Sequence, residues 1–102
     1  MAQDLELIHG RFIGENHPAF IIAELGQNHQ GDVSIAKEMI RAAKESGADC
    51  VKFQKSFLSE KFTQSALEKP YISPNSFGAT YGDHKEFLEF SETEFKLLKD
   101  FW

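Results

Sequence analysis

The pattern of apolar and polar positions is clearest between residues 20 and 55, where two short apolar runs flank a helical stripe. Residues 20–23 form a continuous apolar run, which is typical of a strand covered on both faces in a parallel sheet. Helical spacing begins after Gly31, with Asp32 as the predicted N-cap and Gly47 as the predicted left-handed residue at the helix end. The apolar stripe consists of Ile35, Ala36, Met39, Ile40 and Ala43. With a second strand over 50–54, the pattern predicts a right-handed βαβ unit.

The flanking segments complete a predicted division into two parts. Residues 1–18 are predicted to form an N-terminal β-hairpin cap, in which apolar and polar residues alternate on either side of a turn at Gly10. Residues 19–102 are predicted to contain the βαβ unit, a long lid-like loop and the start of a second helix. The loop covers residues 70–84, with turns at Pro74–Asn75 and Tyr81–Gly82. We interpret it as a lid over a substrate or as a packed crossover, and these interpretations are compatible.

A capping box marks the start of the last predicted helix. The side chains of Ser91 and Glu94 are spaced to satisfy each other's free backbone N–H groups, and Phe90 is placed to pack on Phe95 as a hydrophobic staple. Phe95, Leu98 and Trp102 then lie on one helix face. Because the sequence stops within this apolar stripe, we expect it to be the first part of a longer chain.

Composition excludes several classes of function. The chain has 102 residues, a formal net charge of −5 and no basic stripe, so a nucleic-acid partner is not expected. No apolar stretch approaches the roughly 20 residues needed to span a membrane, and no signal pattern opens the chain. The single cysteine, Cys50, lies within a predicted strand and indicates a reducing compartment. We therefore expect a cytoplasmic protein without a membrane partner.

Ionisable and amide side chains within the two apolar strands are the strongest functional signal. Because side chains alternate along a strand, Glu24 shares a face with Ile22, and Lys52 shares a face with Gln54. If both faces point the same way, these polar groups converge at the carboxyl ends of neighbouring parallel strands, where α/β proteins bind ligands. The alternative is a structural Glu–Lys ion pair at the strand rim. In the following polar loop, 26–31, His29 is a metal ligand, a proton carrier or an ordinary loop histidine, and the ordinary interpretation is favoured.

Three sequence stretches resemble sialic acid synthases, and the third resembles their animal branch: FIIAELGQNHQGD, GADCVKFQKS and TYGDHKEFLEFS. The likeness runs from LELIHGRFIG almost to Trp102 and corresponds to the N-terminal third of such an enzyme. The resemblance implies an α/β fold: the N-terminal part of a (β/α)8 TIM barrel, preceded by a small β-hairpin. It also implies that the rest of the barrel and a C-terminal antifreeze-like domain are absent, and that the full-length family forms a homodimer.

The resemblance further implies a transferase. Such enzymes condense phosphoenolpyruvate with N-acetylmannosamine, or its 6-phosphate in animals, to N-acetylneuraminate or its 9-phosphate and phosphate, with Mg2+ or Mn2+ as the divalent metal. Carried over by motif position, Lys52 contacts phosphoenolpyruvate and Glu24 acts near the reacting carbon of the sugar. Gln54 and Asn28 are counted as substrate-binding residues. The metal ligands of the family lie on later strands and are not expected in this chain.

Two alternatives stay open. One is a catalytically inactive truncated product, and the other is a synthase for a related nonulosonic acid. For the 102-residue chain by itself, we expect no detectable phosphate release.

Overall fold

The computed structural model describes residues 3–102 and has the expected α/β class. Its strands are β1 (Leu5–Ile8), β2 (Arg11–Ile13), β3 (Ile22–Gly26) and β4 (Cys50–Phe53). Its helices are α1 (Val33–Glu45), α2 (Leu58–Lys61), α3 (Gln64–Glu68), α4 (Tyr81–Leu88) and α5 (Glu92–Phe101). The strands form two sheets of two, an antiparallel β1–β2 pair and a parallel β3–β4 pair. The closed barrel therefore remains a prediction.

A hairpin lies where the alternating pattern predicts one. Strands β1 and β2 pair antiparallel around Gly10, whose φ of 80° a glycine adopts without strain. The guanidinium of Arg11 makes two hydrogen bonds to the carboxylate of Asp49, at 2.9 and 3.1 Å, which tie the hairpin to the start of β4. The hydrogen bond from Arg11 holds the pKa of Asp49 below its usual value. That residues 1–18 act as a cap stays a prediction, and residues 1 and 2 lie outside the described part of the chain.

The predicted βαβ unit is present, with two corrected boundaries. Strand β4 ends at Phe53 rather than at Gln54. Strand β3 begins at Ile22 rather than at Phe20, because the N–H of Ile21 donates to the side chain of Asp49 at 2.7 Å instead of joining the strand ladder. Helix α1 begins at the predicted cap, where Asp32 Oδ1 accepts from Ser34 N at 2.7 Å. It ends before Gly47, which has a φ of 98°.

The core lies between α1, β4 and α5. Its fully buried members are Ala36, Ile40, Phe90 and Leu98, against which Val51, Phe53, Phe95 and Trp102 pack. The opposite face of the β3–β4 pair is open, since Ile22 is 55% exposed. The radius of gyration of 17.3 Å exceeds the roughly 13 Å expected of a compact domain of this length. Within residues 3–102, helices therefore pack against one face of the β3–β4 pair and leave Ile22 on the other face exposed.

The segment between β4 and α5 is more helical than the sequence predicts. Helices α2 and α3 occupy residues whose apolar positions follow no clean period, and the predicted turn at Tyr81–Gly82 is wrong because these residues begin α4. Thr80 caps α4 by accepting from Asp83 N at 3.1 Å. A Cβ on Gly82 would lie 2.9 Å from the carbonyl oxygen of Leu67, so this glycine permits close helix packing rather than a turn. The predicted turn at Pro74–Asn75 is present.

Helix α5 confirms the local prediction at its start. Both halves of the Ser91–Glu94 capping box are made, and the rings of Phe90 and Phe95 pack edge to face at 5.6 Å. Leu98 is buried, and Trp102 packs against the core. Within residues 3–102, every helix is too short or too polar to cross a membrane.

Candidate active site

Glu24 and Lys52 are direct neighbours across the parallel strand pair. The register places Glu24 of β3 opposite Lys52 of β4, and Lys52 Nζ lies 3.6 Å from Glu24 Oε1. The side chains are 57% and 59% exposed, on the open face of the sheet. The sequence-based prediction that these two groups converge is confirmed. Because an exposed pair contributes only about 0–1 kcal/mol, stability gives little reason for its presence.

The two candidate amides meet at Gly26, the last residue of β3. Gly26 has a φ of 56°, and a Cβ built on it would lie 3.8 Å from Asn28 Nδ2 and 3.9 Å from Gln54 Nε2. The Asn28 amide donates to the carbonyl of Leu25 at 2.9 Å, which fixes its orientation. Residues singled out on β3, on the loop after it and on β4 therefore meet at the carboxyl end of the strand pair. Such an end offers a carboxylate, an ammonium group and two amides to a polar ligand.

His29 is not the exposed loop residue that an ordinary loop histidine would be. It is fully buried, stacks on Phe90 at 3.9 Å between ring centroids, and accepts at Nδ1 from Gly31 N at 2.9 Å. Burial lowers the pKa of His29, opposed by the negative charges of Glu89 and Glu94. Among residues 3–102, Nε2 has no hydrogen-bond partner. The histidine therefore anchors the loop to the core in its neutral form.

A hydrogen-bond network centred on Glu89 was missed by the sequence analysis. We call it the Glu89 network, and it consists of Glu89, Gln27, Lys85, Lys55 and Ser56. Glu89 Oε1 accepts from Gln27 Nε2 at 2.9 Å, and Oε2 accepts from Ser56 N at 3.2 Å and Lys55 Nζ at 3.4 Å. Lys85 Nζ donates to Gln27 Oε1. Its members are up to 62 residues apart, so no local pattern identifies it.

Charge and burial distinguish Lys85 from the other lysines near the site. Burial and the nearby charge of Lys61 lower the pKa of Lys85, opposed by the charge of Glu89.

Beside Lys85 on α4, the imidazole of His84 accepts at Nδ1 from Phe77 N at 3.2 Å. Burial, followed by the charge of Lys85, lowers the pKa of His84. The contact from Phe77 holds the 70–80 segment against α4.

Two cavities lie near the site, but neither is lined by Glu24 or Lys52. One of about 620 Å³ lies beside the Glu89 network, between the 55–59 segment and α4. The other, of about 650 Å³, is an apolar groove between β4 and α5. Within residues 3–102, no three His, Cys, Asp or Glu side chains come together in a group that could hold a metal ion. The candidate site is therefore an open polar surface.

Comparisons with known proteins show what this chain is similar to. The sequence profile of the NeuB family matches residues 39–101. The chain is 59% identical to the N-acetylneuraminate-9-phosphate synthase of Mus musculus over 99% of its length, and 60% identical to that of Homo sapiens over 97%. It spans 28% of the length of each relative. The crystal structure of N-acetylneuraminic acid synthetase from Leptospira borgpetersenii, in complex with citrate, matches 99% of this chain with a TM-score of 0.74 and 32% identity, over 30% of that chain.

Proposed function

The chain belongs to the NeuB family, and from this premise we propose that it supplies part of the active site of a sialic acid synthase. The reaction condenses phosphoenolpyruvate with N-acetylmannosamine-6-phosphate to give N-acetylneuraminate-9-phosphate and inorganic phosphate. The observation that carries the proposal is the Glu24–Lys52 pair, at 3.6 Å and open to solvent at the carboxyl end of adjacent parallel strands. The likeness to mammalian N-acetylneuraminate-9-phosphate synthases supports the phosphorylated sugar as substrate.

The chemistry assigns a distinct role to each charged group. Carbon 3 of phosphoenolpyruvate forms a bond to the aldehyde carbon of the open-chain sugar, water adds at carbon 2, and phosphate leaves with cleavage of its C–O bond. The ammonium of Lys52 binds the anionic groups of phosphoenolpyruvate, since a fixed cation stabilises carboxylate and phosphate oxygens. Glu24 orients the sugar at its reacting carbon and relays a proton there through water: the water that adds at carbon 2 releases this proton, and the aldehyde oxygen gains it on becoming a hydroxyl.

The amides complete the contacts to substrate. The Nδ2 of Asn28 is engaged by the Leu25 carbonyl, so its oxygen is the group that accepts a hydrogen bond from a sugar hydroxyl. Gln54 lies just after the end of β4, two residues beyond Lys52, and binds the substrate beside it. These roles depend on a substrate that lies across the open face of the β3–β4 pair.

Four further features of the proposed enzyme are a barrel, a C-terminal domain, a dimeric partner and a divalent metal. Because the chain spans 28% of its mammalian relatives, we propose that residues 19–102 belong to a (β/α)8 barrel, preceded by the hairpin, whose other strands, C-terminal antifreeze-like domain and homodimeric partner lie outside this sequence. A divalent metal, Mg2+ or Mn2+, belongs to the proposed enzyme. The described residues do not fit such a metal by themselves, since they provide no metal-binding group and Glu24 is paired with Lys52.

A completed chain provides the test. Residues 1–102 are joined to the remainder of the Mus musculus relative, and phosphate release and product mass are measured with phosphoenolpyruvate and either sugar. We expect synthesis with N-acetylmannosamine-6-phosphate and its loss in Lys52→Ala, whereas Lys96→Ala on the exposed face of α5 retains activity.

The possible outcomes separate the alternatives. Near-normal turnover in Lys52→Ala would contradict the assigned role of this residue. Absence of turnover in a folded, unsubstituted chimera would favour an inactive product. Turnover only with another amino sugar would favour a synthase for a related nonulosonic acid.

A further inference from the structure

The Glu89 network lies immediately beyond the point where the paired strands separate. Backbone pairing of β3 with β4 ends at Gly26 and Phe53, after an irregularity between Glu24 and Gly26. Asn28 and Gln54 lie past this point, so the strand ladder does not fix their separation. Some other contact must hold the loop after β3 against the end of β4.

We propose that Glu89 is a positioning residue for the candidate active site, an inference that rests on the proposed synthase function. Its two carboxylate oxygens join Gln27, which precedes Asn28, to Ser56, which follows Gln54 by two residues. One side chain from the end of α4 thus links the two segments that carry the substrate-binding amides.

Burial supports a specific role for this carboxylate. The Glu89 side chain is only 10% exposed. A carboxylate with so little solvent contact is costly unless donors replace its water, and Glu89 has three within 3.4 Å. By contrast, Glu86 on the same helix is exposed.

The loop transmits the position of Gln27 to Asn28. Asn28 N donates to the carbonyl of Leu25 at 3.1 Å, and Gln30 N donates to the carbonyl of Gln27 at 3.2 Å. Two consecutive tight turns leave this segment little freedom of its own. A shift of Gln27 relative to Ser56 therefore moves Asn28 relative to Gln54, and small displacements of substrate-positioning groups reduce rates strongly.

The direction of the hydrogen bonds allows a matched exchange. Lys85 donates to the Gln27 oxygen, the Gln27 amide donates to Glu89, and Glu89 accepts from Ser56. Gln27→Glu places two carboxylates against each other. Glu89→Gln replaces one of the two acceptor oxygens with an NH2 donor. Depending on the orientation of the new amide, this donor faces either the Gln27 amide or the Ser56 N–H, which then loses its acceptor.

The double variant Gln27→Glu/Glu89→Gln restores a complete set of donors and acceptors. Lys85 then donates to the carboxylate introduced at position 27. The amide introduced at position 89 donates to that same carboxylate, and its oxygen accepts from Ser56 N. The exchange keeps the number of charges in the network and reverses the hydrogen bond between positions 27 and 89. The negative charge moves next to Lys85, and Lys55 then donates to the amide oxygen at position 89.

The experiment compares these variants in the completed chain, at a temperature where circular dichroism shows every variant to be folded. Each single variant should lower kcat/KM by about tenfold or more, whereas the double variant should recover to within about threefold of the parent. Glu86→Gln is the matched control and should have parental kinetics. A purely structural role would affect the melting temperature and leave kcat and KM of the folded variants unchanged.

A second readout separates failure of this inference from failure of the proposed function. In the 102-residue chain, amide hydrogen exchange at Ser56 should accelerate by about tenfold or more in Glu89→Ala and stay parental in Glu86→Ala. An inactive, folded parent chimera would overturn the synthase assignment and with it this inference, while faster Ser56 exchange would still establish the contact. Any of three results would overturn the positioning role. These are single variants whose kcat/KM is within twofold of the parent, a double variant whose kcat/KM is no higher than that of the single variants, and unchanged hydrogen exchange at Ser56.

Discussion

Replacing Lys52 with alanine should leave the stability of the 102-residue chain almost unchanged. Two unit charges 3.6 Å apart attract by about 1 kcal/mol at the dielectric constant of water. Because both side chains are more than half exposed, salt screening and the entropy of holding them together reduce the net contribution to about 0–1 kcal/mol. We therefore expect Lys52→Ala to lower the free energy of unfolding by less than about 1 kcal/mol.

Urea unfolding followed by the fluorescence of Trp102 measures this change. Trp102 is the only tryptophan and packs against the core, so its emission reports loss of tertiary structure. Lys96→Ala serves as the surface control, and Ile40→Ala serves as a core variant that should lose about 2–5 kcal/mol. If Lys52→Ala lost more than about 2 kcal/mol, the ion pair would be a structural element of the sheet and the reasoning would be refuted.

Two further predictions use the same titration. Phe90→Ala removes a fully buried ring that packs on His29 and Phe95, and should lower the free energy of unfolding by about 3–5 kcal/mol. The control Phe57→Ala, at an exposed ring, should change it by about 0.5 kcal/mol or less. If the alanine variant at position 90 does not fold, Phe90→Leu replaces it and should lower the free energy of unfolding by less than about 1.5 kcal/mol. Because the pKa of His29 is lowered in the folded chain, the unfolded state binds more protons, so stability should be full above about pH 6.5 and decline as the pH falls below it. His29→Gln should make this decline shallower, and an unchanged pH dependence would show that His29 does not contribute to it.

Local sequence patterns determined the helix ends, because the residues that form each cap lie close together along the chain. The cap at Asp32, the left-handed residue at Gly47 and the Ser91–Glu94 capping box each depend on groups within a few residues. Strand alternation, which has a period of two, also predicted the face of its own strand on which Glu24 and Lys52 each lie. These features needed no knowledge of what packs against them.

Tertiary structure decided the environment of the remaining residues. His29 is buried because Phe90, 61 positions later in the sequence, stacks on it, and Gly82 lies where α4 packs closely against Leu67. Glu89 meets Gln27 across 62 residues, and its sequence surroundings do not distinguish it from exposed Glu86. Burial and hydrogen bonding between distant segments arise only when the elements pack. The sequence by itself therefore determined the local elements and the two charged candidate residues, whereas strand pairing brought those charges together and packing determined how the loop beside them is held.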